Sequence, residues 1–251
     1  MRKQLYRMMK LGVAATLSLA CSDAFAATLT DDANTIGLWH MDSLDSMIVV
    51  DDDSYSGGAR GNDLTAYGTV SLVTFGHDGT GGALDFAGGS GDKLTANGIW
   101  PLGDIPGFFL DLRFQLDAVS GNQIIAKSAG FAITLGDSGD ADTRIRMVIY
   151  GEDSNWYVDT AWDAVATGQW YHLQAGLDGA LNPTLMLDGV EVGTISGTPN
   201  AIQDSASGWF DIGQYVDGRI DEVQLSSIPE PSALSLSIAI GLLVACRRTR
   251  R

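Results

Sequence analysis

Apolar residues recur at every second position in short runs along this chain, and no long segment between residues 27 and 227 has the apolar spacing of a helix. In FFLDLRFQL, which begins at Phe108, leucines and one phenylalanine alternate with polar residues. RIRMVIY, which begins at Arg144, alternates in the same way. A period of two places the apolar side chains of a strand on one face. Short strands of this kind, separated by Gly, Asp and Asn clusters, indicate an all-β sandwich or barrel.

The stretch LMLDGVEVG, which begins at Leu185, predicts a hairpin. Asp188 and Gly189 stand between two strand-like runs, and a two-residue turn of this kind needs positive φ at both central residues. The chain shows no internal repeat and no second domain, so residues 27–227 are predicted to form one domain.

Residues 1–26 have the three parts of a secretory signal peptide. A basic stretch is followed by an apolar stretch from Leu11 to Ala20 and then by Ala-Phe-Ala, the small-x-small pattern of a cleavage site. We therefore expect export and removal of these residues. A short anchor helix is the alternative.

The predicted domain is strongly acidic. Between residues 27 and 227 there are seven basic and 29 acidic residues, a net charge of −22. Such a field repels nucleic acid, so we expect no nucleic acid partner, and it attracts divalent cations. A surface that only keeps the protein dispersed is an equally open alternative. The two cysteines, Cys21 and Cys246, lie outside the domain, which therefore forms no disulfide.

Residues 228–251 form a distinctive tail. The motif Pro229-Glu230-Pro231 precedes a short apolar run, predicted to be a transmembrane helix although a full span needs about twenty residues. An arginine cluster that begins with Arg247 and Arg248 follows, and it would stay on the cytoplasmic face. The tail resembles the PEP-CTERM sorting signal, which implies a membrane-held intermediate processed by the membrane enzyme exosortase in an exopolysaccharide-producing bacterium. A permanent single-span anchor is the alternative.

Six motifs between Gly37 and Ser226 resemble laminin-G-like domains of the concanavalin A-like lectin and glucanase superfamily. In order, they are GLWHMD, ARGNDLTAYG, GGALDFAGGSGDKL, WYHLQAGLDG, LMLDGVEVG and GRIDEVQLS. The resemblance implies a jelly-roll β-sandwich of two antiparallel sheets. It does not fix a function, since this fold serves lectins, adhesion modules and hydrolases.

No group of residues predicts a hydrolase. Glycoside cleavage needs two carboxylates a defined distance apart, whereas Asp221 and Glu222 are adjacent on a predicted strand and point to opposite faces. The Glu-x-Asp-x-x-Glu pattern of related glucanases is absent, and the three histidines occur singly, without the spacing of zinc ligands. His172 is interpreted as a strand residue with a satisfied ring nitrogen. We therefore predict that the protein is not an enzyme, with a glycosidase or lyase as the least favoured alternative.

Calcium is the favoured metal, because it prefers carboxylate and carbonyl oxygens from loops. The alternation of GRIDEVQLS places Asp221 on one face with Val223 and Leu225, and a buried carboxylate must be paired, hydrogen-bonded or metal-bound. The family resemblance implies that such an acid joins residues near the chain start around a structural calcium. The ligands implied in this way are Asp42, Asp53, Asn62 and Asp221. The alternative is an Asp221 carboxylate satisfied by backbone amides or by Arg219.

The polar segment EDSNWYVDTAWD supplies the candidate sugar-binding residues, which are Trp156, Tyr157 and Trp162. Aromatic faces flanked by Asp and Asn suit a sugar ring, which has apolar faces and hydroxyl groups. Partly buried rim aromatics are an equally open alternative. Trp39 and Trp170 occur in strand motifs and are expected to pack in the core.

These features predict an exported, exosortase-sorted, non-enzymatic module that binds carbohydrate such as exopolysaccharide. Its expected location is the cell envelope, surface or extracellular matrix of a Gram-negative-type bacterium, with membrane contact through the tail before processing. A structural or adhesive matrix protein without a small-ligand site is the alternative.

Overall fold

The computed structural model describes residues 29–51, 62–98, 107–119, 123–136, 143–196, 202 and 208–228. The predicted signal peptide and the predicted calcium ligand Asp53 lie outside these ranges. The residues of the predicted sorting motif lie outside them as well: Pro229, Glu230, Pro231, Arg247 and Arg248. Across the part of the chain that is described, no helix has the length and hydropathy needed to cross a bilayer.

Every regular element in the described ranges is a β-strand. The strands are β1 (Thr35–Trp39), β2 (Ile48–Val49), β3 (Leu64–Tyr67), β4 (Ser71–Val73), β5 (Ala83–Ala87), β6 (Lys93–Asn97), β7 (Phe108–Ala118), β8 (Gln123–Ser128), β9 (Phe131–Leu135), β10 (Ile145–Tyr150), β11 (Asn155–Asp159), β12 (Trp170–Leu177), β13 (Pro183–Leu187), β14 (Val190–Glu191), β15 (Thr194–Ser196), β16 (Trp209–Gln214) and β17 (Asp217–Ser227).

The strands form two sheets that pack face to face. Sheet A has eight strands in the order β14-β13-β12-β7-β17-β5-β4, with β1 paired to β17. Sheet B has nine strands in the order β15-β11-β10-β9-β8-β16-β6-β3-β2. The pairings within both sheets are antiparallel. This architecture confirms the predicted all-β class with two antiparallel sheets, and it is consistent with a jelly roll.

Aromatic side chains connect the two sheets across the core. Trp39 of β1 stacks on Phe210 of β16 with ring centroids 5.9 Å apart, and Phe131 of β9 stacks on Phe108 of β7 at 4.4 Å. Phe131 and Phe210 are 6.3 Å apart, so the four rings form one aromatic column. All four are fully buried, as predicted for Trp39. Each ring of this kind stabilises the fold by about 1.5–3 kcal/mol. The column therefore fixes which face of each sheet is internal.

Strand β10 shows how the column divides a strand into two faces. Ile145, Met147 and Ile149 are fully buried, whereas Arg146 and Tyr150 lie on the opposite face and are partly exposed. The predicted period of two is confirmed here. The same alternation gives sheet B an internal apolar face and an external face that is free to carry polar and aromatic side chains.

The predicted hairpin is also confirmed. Strands β13 and β14 pair with Leu187 opposite Val190. The two turn residues, Asp188 and Gly189, have φ values of 53° and 74°. Both values lie in the left-handed region that a two-residue hairpin of this type requires.

Candidate functional site

The outward face of sheet B carries two of the aromatic residues that the sequence marks for sugar binding. Strand β11 pairs with β10 so that Tyr157 lies beside Val148 and Asp159 lies beside Arg146. These four residues face outward, because the residues between them on β10 face the core. Five side chains at this end of the face make up what we term the arginine-aromatic cluster: Arg144, Arg146, Tyr157, Asp159 and Trp162.

Cation-aromatic contacts and ion pairs hold this cluster together. The Arg144 guanidinium lies 4.2 Å from the Trp162 ring centroid, and that of Arg146 lies 5.2 Å from the Tyr157 ring centroid. Arg146 Nε and Nη2 donate to the two carboxylate oxygens of Asp159 at 2.7 and 3.1 Å. Arg144 Nη1 lies 3.8 Å from the same carboxylate. A bidentate pair restrains both partners, so less side-chain entropy is lost when a ligand binds here.

Trp162 projects from a loop that is fixed on both sides. The N–H of Thr160 donates to the Ile145 carbonyl at 3.0 Å, and the N–H of Ile145 donates to Thr160 Oγ1 at 2.9 Å. On the other side of the loop, Val165 is buried in the core. Between these anchors the Trp162 side chain is 62% exposed. An indole held in solvent in this way is available for stacking against a ligand.

Tyr150 extends the aromatic surface next to Tyr157. Burial raises the pKa of the Tyr150 hydroxyl above its ordinary value, and the neighbouring Tyr157 adds to the increase. The phenol therefore stays neutral at physiological pH, so it can donate or accept a hydrogen bond with a hydroxyl-bearing ligand.

Trp156 does not belong to this surface. Strand β11 alternates, so Tyr157 and Asp159 point outward whereas Trp156 and Val158 point inward. Trp156 is only 3% exposed, and its ring packs over Gly151, where any Cβ atom would collide with it. The prediction that Trp156 is a sugar-binding residue in an edge strand or loop, rather than part of an alternating core run, is therefore wrong. The residues around Trp156 are polar, but they form a strand that pairs on both sides, with β10 and β15.

A second group of polar side chains, on the outer face of sheet A, has no counterpart in the sequence predictions. Asp111 of β7 accepts a hydrogen bond from Arg113 Nη1 at 2.8 Å and contacts His172 Nε2 and Gln174 Nε2 at 2.7 Å each. Asp111 and Arg113 are 6% and 3% exposed. The predicted satisfied ring nitrogen of His172 is confirmed. Trp170, expected in the core, is instead partly exposed on this outer face.

A β-bulge in β17 places Asp221 on the same outer face. Asp221 lies opposite Arg113, and the register of β17 then shifts by one residue before the next pair. Glu222, within the bulge, has a φ of 49°. An extra residue reverses the alternation of side chains. The prediction that Asp221 shares a face with Val223 and Leu225 is therefore wrong.

The neighbouring carboxylates of β17 have different partners. Asp221 Oδ2 accepts a hydrogen bond from the backbone N–H of His77 at 2.9 Å and contacts its Nδ1 at the same distance. Glu222 Oε2 instead contacts His40 Nδ1 at 2.9 Å. Asp221 and Glu222 therefore do not share a site, as predicted. Among the described residues, Asp221 Oδ1 is buried without a hydrogen-bond partner. Arg219 contacts a different carboxylate.

The loop between β4 and β5 contacts two of the predicted calcium ligands, Asp42 and Asp221. Three oxygen atoms surround the position that a Cβ atom would take at Gly76. Asp221 Oδ2 lies 2.5 Å from this position, and the carbonyl oxygens of Gly82 and Thr80 lie 2.6 and 3.0 Å from it. The N–H of Gly82 donates to Asp42 Oδ1 at 2.5 Å. Carboxylate and carbonyl oxygens are the ligands calcium prefers. Asp42 and Asp221 both contact this loop and carry ligands of the type that such a site would need.

Asn62 does not fit that site. The side-chain Nδ2 of Asn62 donates a hydrogen bond to the Ile36 carbonyl at 2.5 Å. The backbone carbonyl of Asn62 accepts a hydrogen bond from Trp39 Nε1 at 3.0 Å. Both hydrogen bonds connect Asn62 to β1. Within the described ranges, no group of three or more His, Cys, Asp or Glu side chains is placed to hold a metal. Carbonyl oxygens would therefore have to complete the coordination.

Comparison with protein families gives one match. Residues 109–230 match the Laminin_G_3 family. It is described as the concanavalin A-like lectin/glucanases superfamily. The Laminin_G_3 match runs from β7 to just beyond β17, and it includes β10 and β11. It confirms the superfamily resemblance for this stretch, and it does not reach most of the tail. A search of curated proteins found no match.

Solved structures share this fold at low sequence identity. The Botulinum Neurotoxin Type G receptor binding domain is 12% identical, with a TM-score of 0.56 over 83% of this chain and 51% of that chain. The binding domain of Paraclostridial Mosquitocidal Protein 1 is 11% identical, with a TM-score of 0.56 over 81% and 51%. The chain therefore spans half the length of these toxin domains.

A third structure is matched over nearly its whole length. Domain 4 of AbnA, a GH43 extracellular arabinanase from Geobacillus stearothermophilus, was solved in complex with arabinotriose. It is 17% identical, with a TM-score of 0.54 over 80% of this chain and 97% of that chain. At these identities the likeness shows the fold alone.

The two tryptophans of β11 and its loop give a test of their placement. Trp156→Ala is expected to lower the free energy of unfolding by about 3–5 kcal/mol, because it removes an indole from the core. Trp162→Ala is expected to lower it by less than about 1 kcal/mol, since only a surface contact is lost. Urea unfolding followed by circular dichroism measures both values. A small effect of Trp156→Ala, similar to that of Trp162→Ala, would contradict the core position of Trp156.

Proposed function

We propose that this protein is a non-enzymatic binding module that recognises carbohydrate through the arginine-aromatic cluster. The observation that carries the proposal is the exposed Trp162 indole, held above Arg144 and next to the bidentate Arg146–Asp159 pair. The C–H face of a sugar ring can stack on the indole. Its hydroxyl groups can then exchange hydrogen bonds with the guanidinium and carboxylate groups beside it.

The comparisons support a binding role. The Laminin_G_3 match belongs to a lectin and glucanase superfamily, and the matched AbnA domain was solved with a bound trisaccharide. The two matched toxin structures are a binding domain and a receptor binding domain. Asp111 and Asp221, which share the outer face of sheet A, are too deeply buried to present a carboxylate to solvent. This burial favours binding over glycoside cleavage, which needs an accessible pair of carboxylates.

A glycan array probed with the full-length chain tests the proposal. We expect binding to one or more glycans, and Trp162→Ala is expected to weaken it at least about tenfold, because a stacked aromatic of this kind contributes more than 1 kcal/mol. Phe75→Ala is the control, since Phe75 is 68% exposed and lies outside the cluster. Equal affinity of the Trp162→Ala variant and the parent would contradict the site. An array without hits, from folded protein that associates with itself, would favour an adhesive matrix protein.

We propose that the module works outside the cytoplasmic membrane, after export and sorting of the tail by exosortase. The composition of residues 1–26 and the order of motifs in residues 228–251 support this proposal. Superfamily members and neighbours of this kind are typical of extracellular proteins, and the matched AbnA domain comes from an extracellular arabinanase. The bound polymer would then be an exopolysaccharide.

Replacing Pro229, Glu230 and Pro231 with alanine tests the sorting step. In an exosortase-producing host, the parent protein is expected to lose its tail and to be recovered outside the cytoplasmic membrane. The variant is expected to keep its tail and to remain in the membrane fraction. Cell fractionation and mass spectrometry of the C-terminal peptide measure both properties. The same mass and location for the two proteins would contradict the proposal.

We propose that a structural calcium ion binds at the loop between β4 and β5. Asp42 and Asp221 would hold it together with the carbonyl oxygens of that loop, and the buried Asp221 Oδ1 supports the proposal because it has no other partner among the described residues. Calcium would neutralise two carboxylates in a strongly acidic domain and tie the loop to β17.

Thermal unfolding with calcium or with a chelator tests this site. Calcium is expected to raise the Tm of the parent, because a ligand that binds only the folded state stabilises it, by about 2.7 kcal/mol at one hundred times its Kd. Asp221→Asn is expected to abolish the rise. Asp85→Asn, at a partly exposed carboxylate of the same sheet, should retain it. An undiminished rise in Asp221→Asn, or no rise in the parent, would contradict the proposal.

A further inference from the structure

The basic residues of the domain are concentrated on one face. Six of its seven lysines and arginines lie in the described ranges. Four of these six lie on the outward face of sheet B. These four are Lys93, Lys127, Arg144 and Arg146. Each of the four lies over an aromatic ring that shares this face. The remaining two, Arg113 and Arg219, belong to sheet A.

Two of the four basic residues, Lys93 on β6 and Lys127 on β8, form a second cluster, separate from the arginine-aromatic cluster. Lys93 Nζ lies 5.9 Å from the Tyr67 ring centroid, and Lys127 Nζ lies 5.5 Å from the Trp209 ring centroid. Lys93 also pairs with Asp211 at 2.9 Å. We term these five residues the lysine-aromatic cluster. Each cluster thus combines two cations, two aromatic rings and one carboxylate.

The strand register joins the two clusters in one row across sheet B. Tyr157, Val148, Ala132, Lys127, Asp211 and Thr95 lie opposite one another in that order, on β11, β10, β9, β8, β16 and β6. Neighbouring strands are about 4.8 Å apart, so the row is about 24 Å long. Such a length suits a linear polymer that crosses the strands better than a single sugar.

The charge of this face differs in sign from that of the rest of the domain. The strands of sheet B contain two acidic residues, Asp159 and Asp211, against three basic residues, and the fourth cation of the face, Arg144, immediately precedes β10. The strands of sheet A contain seven acidic residues against two arginines. The outward face of sheet B is therefore positive within a domain whose net charge is −22.

Lys127 carries the clearest unbalanced charge on the face. Lys93 is neutralised by Asp211, whose other oxygen accepts from Thr95 Oγ1 at 2.7 Å. Arg146 is neutralised by Asp159. Among the described residues, Lys127 has no carboxylate within salt-bridge distance, and its Nζ lies over the Trp209 ring. It stands in the row at the side of the lysine-aromatic cluster that faces the arginine-aromatic cluster, where a ligand bridging the two would pass.

We propose that the outward face of sheet B binds an anionic polysaccharide, with the chain lying across the strands from the arginine-aromatic cluster to the lysine-aromatic cluster. The rings stack on the sugars, and Lys127 with the neighbouring cations pairs with carboxylate groups of the polymer. The acidic remainder of the domain repels such a polymer, so it directs binding to this one face. This inference rests on the proposed carbohydrate-binding function and adds the class of ligand and its direction.

Two matched pairs of polymers test the role of charge. The full-length chain is titrated with polygalacturonate and its fully methyl-esterified form, and with alginate and carboxyl-reduced alginate. At about 50 mM NaCl we expect at least one acidic polymer to bind about tenfold more tightly than its neutral counterpart, as expected for a few exposed ion pairs. Raising NaCl to about 500 mM is expected to remove most of this preference, because screening shortens the range of the charges.

Single substitutions locate the binding face. Lys127→Met is expected to weaken binding of the acidic polymer about threefold to fivefold and to leave the neutral form unaffected. Arg219→Met, which removes a partly exposed cation from sheet A, should have no effect on either. Trp209→Ala, in the lysine-aromatic cluster and so remote from Trp162, is expected to weaken binding of long chains more than of short oligosaccharides.

The outcomes separate this inference from the function on which it rests. Equal binding of acidic and neutral polymers, or binding of neutral glycans alone, would overturn the anionic ligand and keep the carbohydrate-binding function. No binding to any polymer or to the glycan array would overturn both. Acid-selective binding that is lost in Arg219→Met and kept in Lys127→Met would overturn the assigned face.

Discussion

The aromatic column of Trp39, Phe210, Phe131 and Phe108 is the contact on which the rest of the structure depends. It links β1 and β7 of sheet A to β9 and β16 of sheet B. Because strands alternate, an inward ring forces its neighbours outward. Phe210 thus directs Trp209 and Asp211 toward the outer face of sheet B. The composition of the outer face is therefore determined from inside the sandwich.

Local patterns were sufficient to predict strands such as β7 and β10, the β13–β14 hairpin and the inward face of β10, because each depends on residues close together in sequence. The bulge at Glu222 could not be predicted in this way, since it is visible only in the pairing of β17 with β7. The network at Asp111 was missed for a similar reason, because its partners on β12 follow about sixty residues later. The polar composition around Trp156 also led to a wrong prediction of its position, because Trp156 is buried although its neighbours are polar.

The two sheets use their outer faces differently. On sheet A, Asp111 and Arg113 are almost fully buried, so their charged groups contact each other within the protein. On sheet B, Tyr157 and Lys127 keep partly exposed side chains on hydrogen-bonded strands. A sheet is a rigid support for binding groups, and side chains fixed on strands recognise a ligand with less loss of entropy than side chains on mobile loops.

Strand β17 has a mechanical consequence. It is eleven residues long, it pairs with β7 on one side and with β1 and β5 on the other, and it leads directly into the tail. The N–H of Ile228 still donates to the Gly107 carbonyl at 3.0 Å. A force applied at the C-terminal end of β17 would therefore run along an interior strand and load many hydrogen bonds in shear at once. Resistance to such a force is governed by the rate of unfolding.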